Sequence, residues 1–580
     1  MVSFSQTLGA IFPEGIIKAK KKRSILKNLD KKEDSSSFGR MLFFVLLLVF
    51  GLGAIFARFF TIVAIEGERY QKLSSDNRIK EIKITAPRGI IYDRHQTPLV
   101  RNIPIFVSKD NKRFFEEKPA SISETLKEEV GRDYVFGDLF AHIIGYVGEI
   151  GEEELRNSNY QPGDIIGKSG IEKEYDQILR GIDGKELIEV DALGQTVRTL
   201  GRLPSSAGKK INLTIDLELQ KFAKEVLGNK TGAVIIENPL DGSVLALYSS
   251  PSFDPNKLIR GENTISIFND EKQPLFNRAV SGQYPPGSTF KIISALAALE
   301  TGAITKETRF EDTGILTVGQ FSFGNWYFSQ YGKKEGILDI VGAIKRSNDI
   351  FFYKLGEAIG ITKLSTWVKN AGLVGIPTGI DLPGEAVGLM PDPLWQRENK
   401  GEDWYLGNTY HIAIGQGDLL ATPLQVNSWT NVIANNGKIC QPHLKALDKK
   451  ELVCKDLGIK KENIALVKEG MRQACAKGGT ASIFSDFTVE SESLKVDEID
   501  FLNAPESTLS AKKRVGIPVA CKTGTAEFGS ANGKTHAWFT VFAPFVHPQV
   551  SVTVLVEGGG EGSAVAAPIA KKILEKWFTM

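Results

Sequence analysis

Ser288 and Lys291 stand three residues apart at the head of an apolar run, directly behind the breaker Pro285-Pro286-Gly287. A serine in that position opens a helix, among free backbone N–H groups able to receive a developing oxyanion. Lys291 shares the serine's face of the helix. Held among Ile292, Ile293, Ala295, Leu296, Ala298 and Leu299, its ammonium is pushed toward the neutral, basic form. The pair has the chemistry of an activated nucleophile that forms an acyl-serine. An isolated S-x-x-K is more often a capping serine followed by a snorkelling lysine. Indeed Ser24/Lys27, Ser206/Lys209 and Ser510/Lys513 repeat it in polar stretches. What singles out Ser288 is the order of two further motifs, Ser347-Asn348-Asp349 and Lys522-Thr523-Gly524-Thr525. Between them, the Ser347 hydroxyl is suited to pass a proton among Lys291, Lys522 and a leaving amine.

These side chains need elements to hold them. Residues 515–526 alternate Val515, Ile517, Val519 and Cys521 with other residues, which predicts a strand whose end presents Lys522 and Thr523. Cys521 then points behind that strand. His536–Ala543 and Val550–Glu557 predict two more strands, and Ala564–Phe578 a closing amphipathic helix. Ala343–Gly356 reads as one helix carrying the middle motif. Upstream, Leu217–Leu227 predicts a helix ending before Gly228, and Ala233–Glu237 the first strand, with a second K-T-G, Lys230-Thr231-Gly232, just ahead of it. Phe484–Arg514 is an acidic, polar insertion, read as a solvated loop.

At 580 residues the chain is long enough for several domains. Its net charge of +2 gives no global field for nucleic acid, and its six histidines lack metal-ligand spacing. Met41–Ala57 is an uncharged apolar run that reaches Ile65 past Arg58, long enough to span a bilayer with some tilt. Nine basic residues precede it, so the positive-inside rule keeps the N-terminus cytoplasmic and sends residue 66 onward outside, the competing reading being a cleaved signal peptide. All four cysteines lie in that exported part. Cys440 and Cys454 flank a hairpin-like stretch and are expected to pair, the alternative being four buried free thiols.

Residues 66–230 lack nucleophile chemistry and read as a partly β spacer. They carry Ala86–Arg94, Ala141–Gly148 and Gly167–Tyr175, while Ile414–Gly417 and Ala421–Gln425 lie further on. With these segments the chain resembles a class B penicillin-binding protein of the elongation type, over almost everything from residue 40 to 578. Arg88, Gly89, Asp93 and Arg94 are similar to that family's pedestal motif, with His95-Gln96 in place of its usual Asn-Gly. The aspartate at 349 resembles the elongation subtype, where the division subtype tends to carry asparagine.

The resemblance implies an α+β fold. A cytoplasmic tail (1–40) and a transmembrane helix (41–65) precede a mostly β pedestal with a short head (66–230). A transpeptidase domain built like the serine β-lactamases, an antiparallel sheet with helices on both faces, follows (231–580). It implies peptidoglycan D,D-transpeptidation during cell-wall elongation, inhibition by β-lactams and a SEDS-family lipid II polymerase as partner. Ser288 would be the nucleophile, Lys291 its base, Ser347 and Lys522 the proton relay, and Asp349 the residue that orders the cleft. The backbone N–H groups of Ser288 and Thr525 would hold the oxyanion. Asn348, Thr523, Gly524 and Thr525 would bind substrate. Neither a cofactor nor a metal is implied, and residues 292–346 hold no His or Cys for a zinc site known in some relatives. The competing readings are a division-type relative, a β-lactamase or β-lactam sensor, and a non-enzymatic scaffold that activates a polymerase.

Overall fold

The computed structural model describes residues 35–108, 113–115, 126–156, 160–191, 193–490, 514–529 and 533–580. The basic tail up to residue 34, most of the Phe484–Arg514 insertion, and the Ser24 and Ser510 motifs lie outside them.

The chain divides into two compact units. In the first, Ser35–Phe60 is an α-helix that widens into a π-helical turn over Thr61–Ile65, and Gly67–Arg78 is a second helix. Phe38–Ile65 is long and apolar enough to cross a membrane, and its large side chains are exposed, as lipid-facing side chains would be. Arg58 reaches toward Glu66 at 3.9 Å, so the one charge inside the run is drawn to its C-terminal end.

The second unit comprises residues 82–186 and 201–580. Its upstream part is built on Pro98–Val107, flanked by Lys127–Tyr134 on one side and by Ile91–Tyr92 and Arg113–Phe115 on the other. Two charges of the Ala86–Arg94 segment, Arg88 and Asp93, are buried here. Arg88 donates to Glu172 through Nε and Nη2, and its Nη1 sits 2.8 Å from Asp176. Arg132 donates to the other Glu172 oxygen, to Asn102 and to the Gly89 carbonyl. Glu172 is fully buried, and such a group is tolerable only because each oxygen is paired. Gly89 passes so close to Lys209 that a Cβ would lie 1.9 Å from its carbonyl oxygen. Asp93 closes its turn by accepting from the backbone of His95 and Thr97. The Gln96 that replaces a glycine there takes φ +63°, so the tight turn survives the substitution at some strain. The Arg94 side chain is exposed and adds only its backbone N–H, donated to the Ile215 carbonyl.

The downstream part is a five-stranded antiparallel sheet. Its strands are β1 (Gly232–Glu237), β2 (Val244–Ser250), β3 (Ala520–Glu527), β4 (Thr535–Ala543) and β5 (Val550–Val556), in the order β2-β1-β5-β4-β3. Period-two alternation sorts its faces. Ala537, Phe539, Val541, Val552 and Val554 pack with Leu217–Leu227 and with the closing helix Ala566–Thr579. Ala520, Trp538, Phe542 and Leu555 face the opposite way, against α1 (Lys291–Glu300) and the buried helix Pro423–Ala434.

Two expectations change, and one alternative, that of four free thiols, falls away. The strand does not run from 515; Pro518 cannot donate to a ladder, so Arg514–Gly516 pairs separately with Thr488–Glu490 and β3 begins at Ala520. The K-T-G motif therefore lies within the strand and not at its end. The predicted helix 343–356 is two helices, α2 (Ile340–Arg346) and α3 (Asp349–Ile359). Ser-Asn-Asp supplies caps more readily than helix interior: Ser347 ends α2 at φ +52°, and Asn348 caps α3 by accepting from Phe351 N–H. Finally, none of the four cysteines is free. Cys440 and Cys454 are directly cross-strand and bonded, as expected from the hairpin, and Cys475 is bonded to Cys521.

Candidate active site

Ser288 lies in the 3-10 turn Gly287–Phe290, which runs into α1. That turn is fixed by backbone contacts that only glycine permits. Gly287 has φ +54° and donates to the Gly415 carbonyl; a Cβ on Gly415 would lie 2.0 Å from the Gly287 oxygen. Gly524 of β3 packs against the same turn, where a Cβ would come within 2.9 Å of Thr289 Cγ2 and 2.8 Å of Trp538 Cβ. The third residue of the motif is thus a glycine because the nucleophile's turn sits on it. Gln416, next to Gly415, donates to the Thr525 carbonyl at 3.4 Å.

Lys291, on the first turn of α1, is fully buried. Its Nζ donates to Asp349 Oδ1 at 2.6 Å and to the Ser347 carbonyl at 2.8 Å, with Ser347 Oγ at 3.4 Å. Burial lowers its pKa below the usual lysine value, and Asp349 works against that. Lys522, also fully buried, enters from β3 on the side of the sheet that faces α1. Its Nζ donates to Ser347 Oγ and to the Thr523 carbonyl, both at 2.8 Å. Burial again dominates its strongly lowered pKa, and the Lys291 charge adds to the effect. Ser347 Oγ thus stands between two amines that both favour the loss of a proton. Its left-handed backbone places it there, strain of the kind stored at functional sites.

The two amines lie behind a cleft of about 570 Å³, lined among others by Ser288, Ser347, Asp349, Thr523 and Thr525. Ser288 is half-buried, and its hydroxyl has no hydrogen-bond partner among the described residues. Asp349 is held by Trp326 N–H on its second oxygen, and its own N–H donates to Asn325. Thr523 Oγ1 donates to Thr480 at 3.0 Å.

Of the sequence-derived residues, Ser288, Lys291, Ser347, Asp349, Lys522, Thr523 and Thr525 come together. Asn348 is fully buried in its capping role and does not line the cleft, and Gly524 acts through close packing. Arg88, Gly89, Asp93 and Arg94 belong to the upstream sheet. Sequence reasoning passed over Asn325, Trp326 and Thr480, which carry no motif. It also passed over Glu527 and Glu561, two carboxylates on the cleft wall. Only the alternation of β3, which puts Glu527 on the face of Thr523 and Thr525, could have pointed to the first. Among the described residues no cluster of metal-ligating side chains is present.

Residues 232–575 match the family model described as the penicillin binding protein transpeptidase domain, and residues 113–213 that of the penicillin-binding protein dimerisation domain. The chain is 32% identical to a peptidoglycan D,D-transpeptidase, MrdA, of Haemophilus influenzae, over 95% of this chain and 93% of that protein. Among solved structures it is similar to the penicillin-binding protein PBP2 of Helicobacter pylori in complex with MreC. That likeness has TM-score 0.71 and 29% identity, over 86% of this chain and 99% of that one. A structure described as "Structural coordination of polymerization and crosslinking by a peptidoglycan synthase complex" is also similar, at TM-score 0.70 and 26% identity over 94% of this chain and 99% of that one.

Proposed function

Since the chain belongs to the penicillin-binding protein family, with both the transpeptidase and the dimerisation domain, we propose that Ser288 is its acyl-accepting nucleophile. The protein is an elongation-type peptidoglycan D,D-transpeptidase and a target of penicillin. The observation that carries the residue assignment is the convergence of the buried amines of Lys291 and Lys522 on one hydroxyl, Ser347 Oγ, which lines the same cleft as Ser288.

Ser288 Oγ attacks the carbonyl of the D-Ala-D-Ala bond, and Lys291, as its neutral amine, takes the hydroxyl proton. Burial favours that neutral form, while Asp349 holds the amine in place and stabilises the ammonium once formed. Backbone N–H groups of Ser288 and Thr525 receive the oxyanion. The proton travels through Ser347 Oγ, beside Lys522, to the departing amine, and D-alanine leaves. Thr523 and Thr525 face the substrate carboxylate, with Thr480 orienting Thr523. An amine of a second stem peptide then attacks the acyl-serine, returning its proton by the same route and freeing Ser288. With penicillin, the opened ring stays attached, so the acyl-serine persists.

We read 1–40 as a cytoplasmic tail, Met41–Ile65 as the membrane anchor, 66–230 as the pedestal and 231–580 as the transpeptidase domain, located outside the membrane. The exposed apolar helix supports the anchor, and the family-model matches at 113–213 and 232–575 support the division. The relatives seen with MreC and within a peptidoglycan synthase complex support elongation-machinery partners, and a SEDS-family lipid II polymerase is the finer reading. Replacing Met41–Ile65 by an unrelated span should abolish co-purification with that polymerase; unchanged association would remove the span from the interface.

The nucleophile is tested by intact-mass analysis of the full-length protein in detergent after benzylpenicillin. One adduct is expected, lost in Ser288→Ala. An adduct on Ser206, or one that survives Ser288→Ala, would sink the assignment.

A further inference from the structure

Cys521 immediately precedes Lys522, and alternation puts it on the face of β3 opposite that lysine, together with Thr523 and Thr525. It is fully buried and bonded to Cys475, the last residue of α4 (Lys461–Cys475), with a Cα–Cα distance of 5.8 Å. The chain that leaves Cys475 returns to the same strand face five residues later, where Thr480 meets Thr523 Oγ1. This end of α4 is also fastened to the element that ends in Ser347. Gly470 of α4 packs so tightly against α2 that a Cβ there would lie 2.7 Å from Ile344 Cβ, and Arg346 donates to the Gly478 carbonyl at 2.7 Å. A closed ring of contacts results: Cys521 to Cys475, through residues 476–480 to Arg346 and Ser347, and from Ser347 Oγ back to Lys522.

We propose that Cys475 and Cys521 are a positioning pair for acylation: their disulfide fixes β3 against α4 and so sets the approach of Lys522 and Thr523 to Ser347 and the cleft. The proposal rests on the reading that Ser288 is the acylated residue. Two buried thiols would fill the same space without fixing it, since a thiol pair leaves the strand free to slide by the slack of its packing. The site is sensitive to that slack, because Lys522 and Ser347 are joined by one hydrogen bond and a misplacement of ~1 Å in such a constellation costs on the order of a hundredfold in rate. The pair also makes the reaction responsive to dithiols. A dithiol's thiolate attacks one sulfur, its second thiol displaces the mixed disulfide, and the reductant leaves as a cyclic disulfide. Two electrons and two protons pass to Cys475 and Cys521, which become thiols.

The test uses the full-length protein in detergent carrying Cys440→Ser and Cys454→Ser, so that one disulfide remains. The second-order rate of benzylpenicillin adduct formation is measured from neutral to alkaline pH, before and after dithiothreitol. Thiol alkylation reports the redox state. Reduction is expected to slow acylation about tenfold and to move the pH midpoint, because the Lys522–Lys291 distance is released. Reoxidation with a small-molecule disulfide should restore both. Partial unfolding would lower the amplitude of the adduct, not its rate or its midpoint. A Cys475→Ser and Cys521→Ser variant should match the reduced protein. Equal rates and equal midpoints in the oxidised and reduced forms would overturn the proposal. Absence of any adduct in both forms would instead overturn the Ser288 reading, and this proposal with it.

Discussion

Replacing Asp349 by asparagine keeps the shape of the cleft floor and removes one charge. In the native protein Lys291 Nζ lies 2.6 Å from Asp349 Oδ1, with the lysine fully buried. At an effective dielectric of ~20 that separation corresponds to a gross attraction of about 6 kcal/mol. Much of this offsets desolvation, and breaking one partner of such a pair is expected to cost about 3–5 kcal/mol. The cost falls on the charged form of Lys291 alone. Asp349 opposes the burial that lowers the lysine's pKa, so its loss lowers that pKa further. The destabilisation of Asp349→Asn is therefore greatest at low pH, where the lysine must enter the core charged and unpaired. It falls away as pH rises through the wild-type folded pKa of Lys291. Urea unfolding of wild type and variant at acid and alkaline pH measures this directly. In the penicillin acylation profile the acid limb should move to lower pH, since the amine becomes neutral earlier, while the plateau rate drops because the amine is no longer held in place. An equal destabilisation at both pH values, or an acid limb that moves upward, would refute the assignment of Lys291 as the buried base.

Other consequences are more local. Gly524→Ala should reduce acylation by roughly tenfold or more with a small loss of stability, since overpacking of this kind costs about 1–3 kcal/mol and the new Cβ presses on Thr289 beside Ser288; adduct formation measures it. Lys522→Ala should lower the acylation rate while leaving the protein at least as stable, because a fully buried amine is removed; urea midpoints beside penicillin kinetics separate the two. Glu172→Gln should destabilise the upstream part by about 3–5 kcal/mol, as it leaves Arg132 with uncharged acceptors only and Arg88 with Asp176 as its remaining carboxylate; a double-mutant cycle with Arg132→Met should be strongly non-additive. Peptide mapping without reductant should find Cys440 linked to Cys454, and their replacement by serine should cost on the order of 3 kcal/mol.

Where local chemistry decides, the fold was legible in the sequence. The helix Leu217–Leu227 and strands β1, β4 and β5 fall within a residue or two of their expected bounds, because period and flanking glycines agree there. The nucleophile was legible because three motifs occur in order. What the sequence could not show is how they interlock. Asp349 gripping Lys291, and Trp326 gripping Asp349, join residues far apart in the chain. The break between α2 and α3 escaped because the apolar period continues across Ser347, and only its capping chemistry marks the joint. Pro518 was visible but was outweighed by the alternation around it. The Cys475–Cys521 pairing needed the end of α4 to meet β3, which no spacing encodes.

The three glycines that wall the nucleophile's turn have a consequence for how this protein can change. Gly287, Gly415 and Gly524 meet their neighbours through main-chain atoms or through side-chain atoms at the Cβ and Cγ2 positions, which have no room to give. Almost any single replacement at these positions disturbs Ser288 for every acylating agent alike, the natural donor included. Mutations that blunt an antibiotic while sparing growth are therefore confined to positions whose side chains meet only part of a ligand. The rim of the cleft offers such positions in Trp326, Gln330, Glu527 and Glu561. In a population under β-lactam pressure, inherited variation should gather at that rim, while the floor stays fixed.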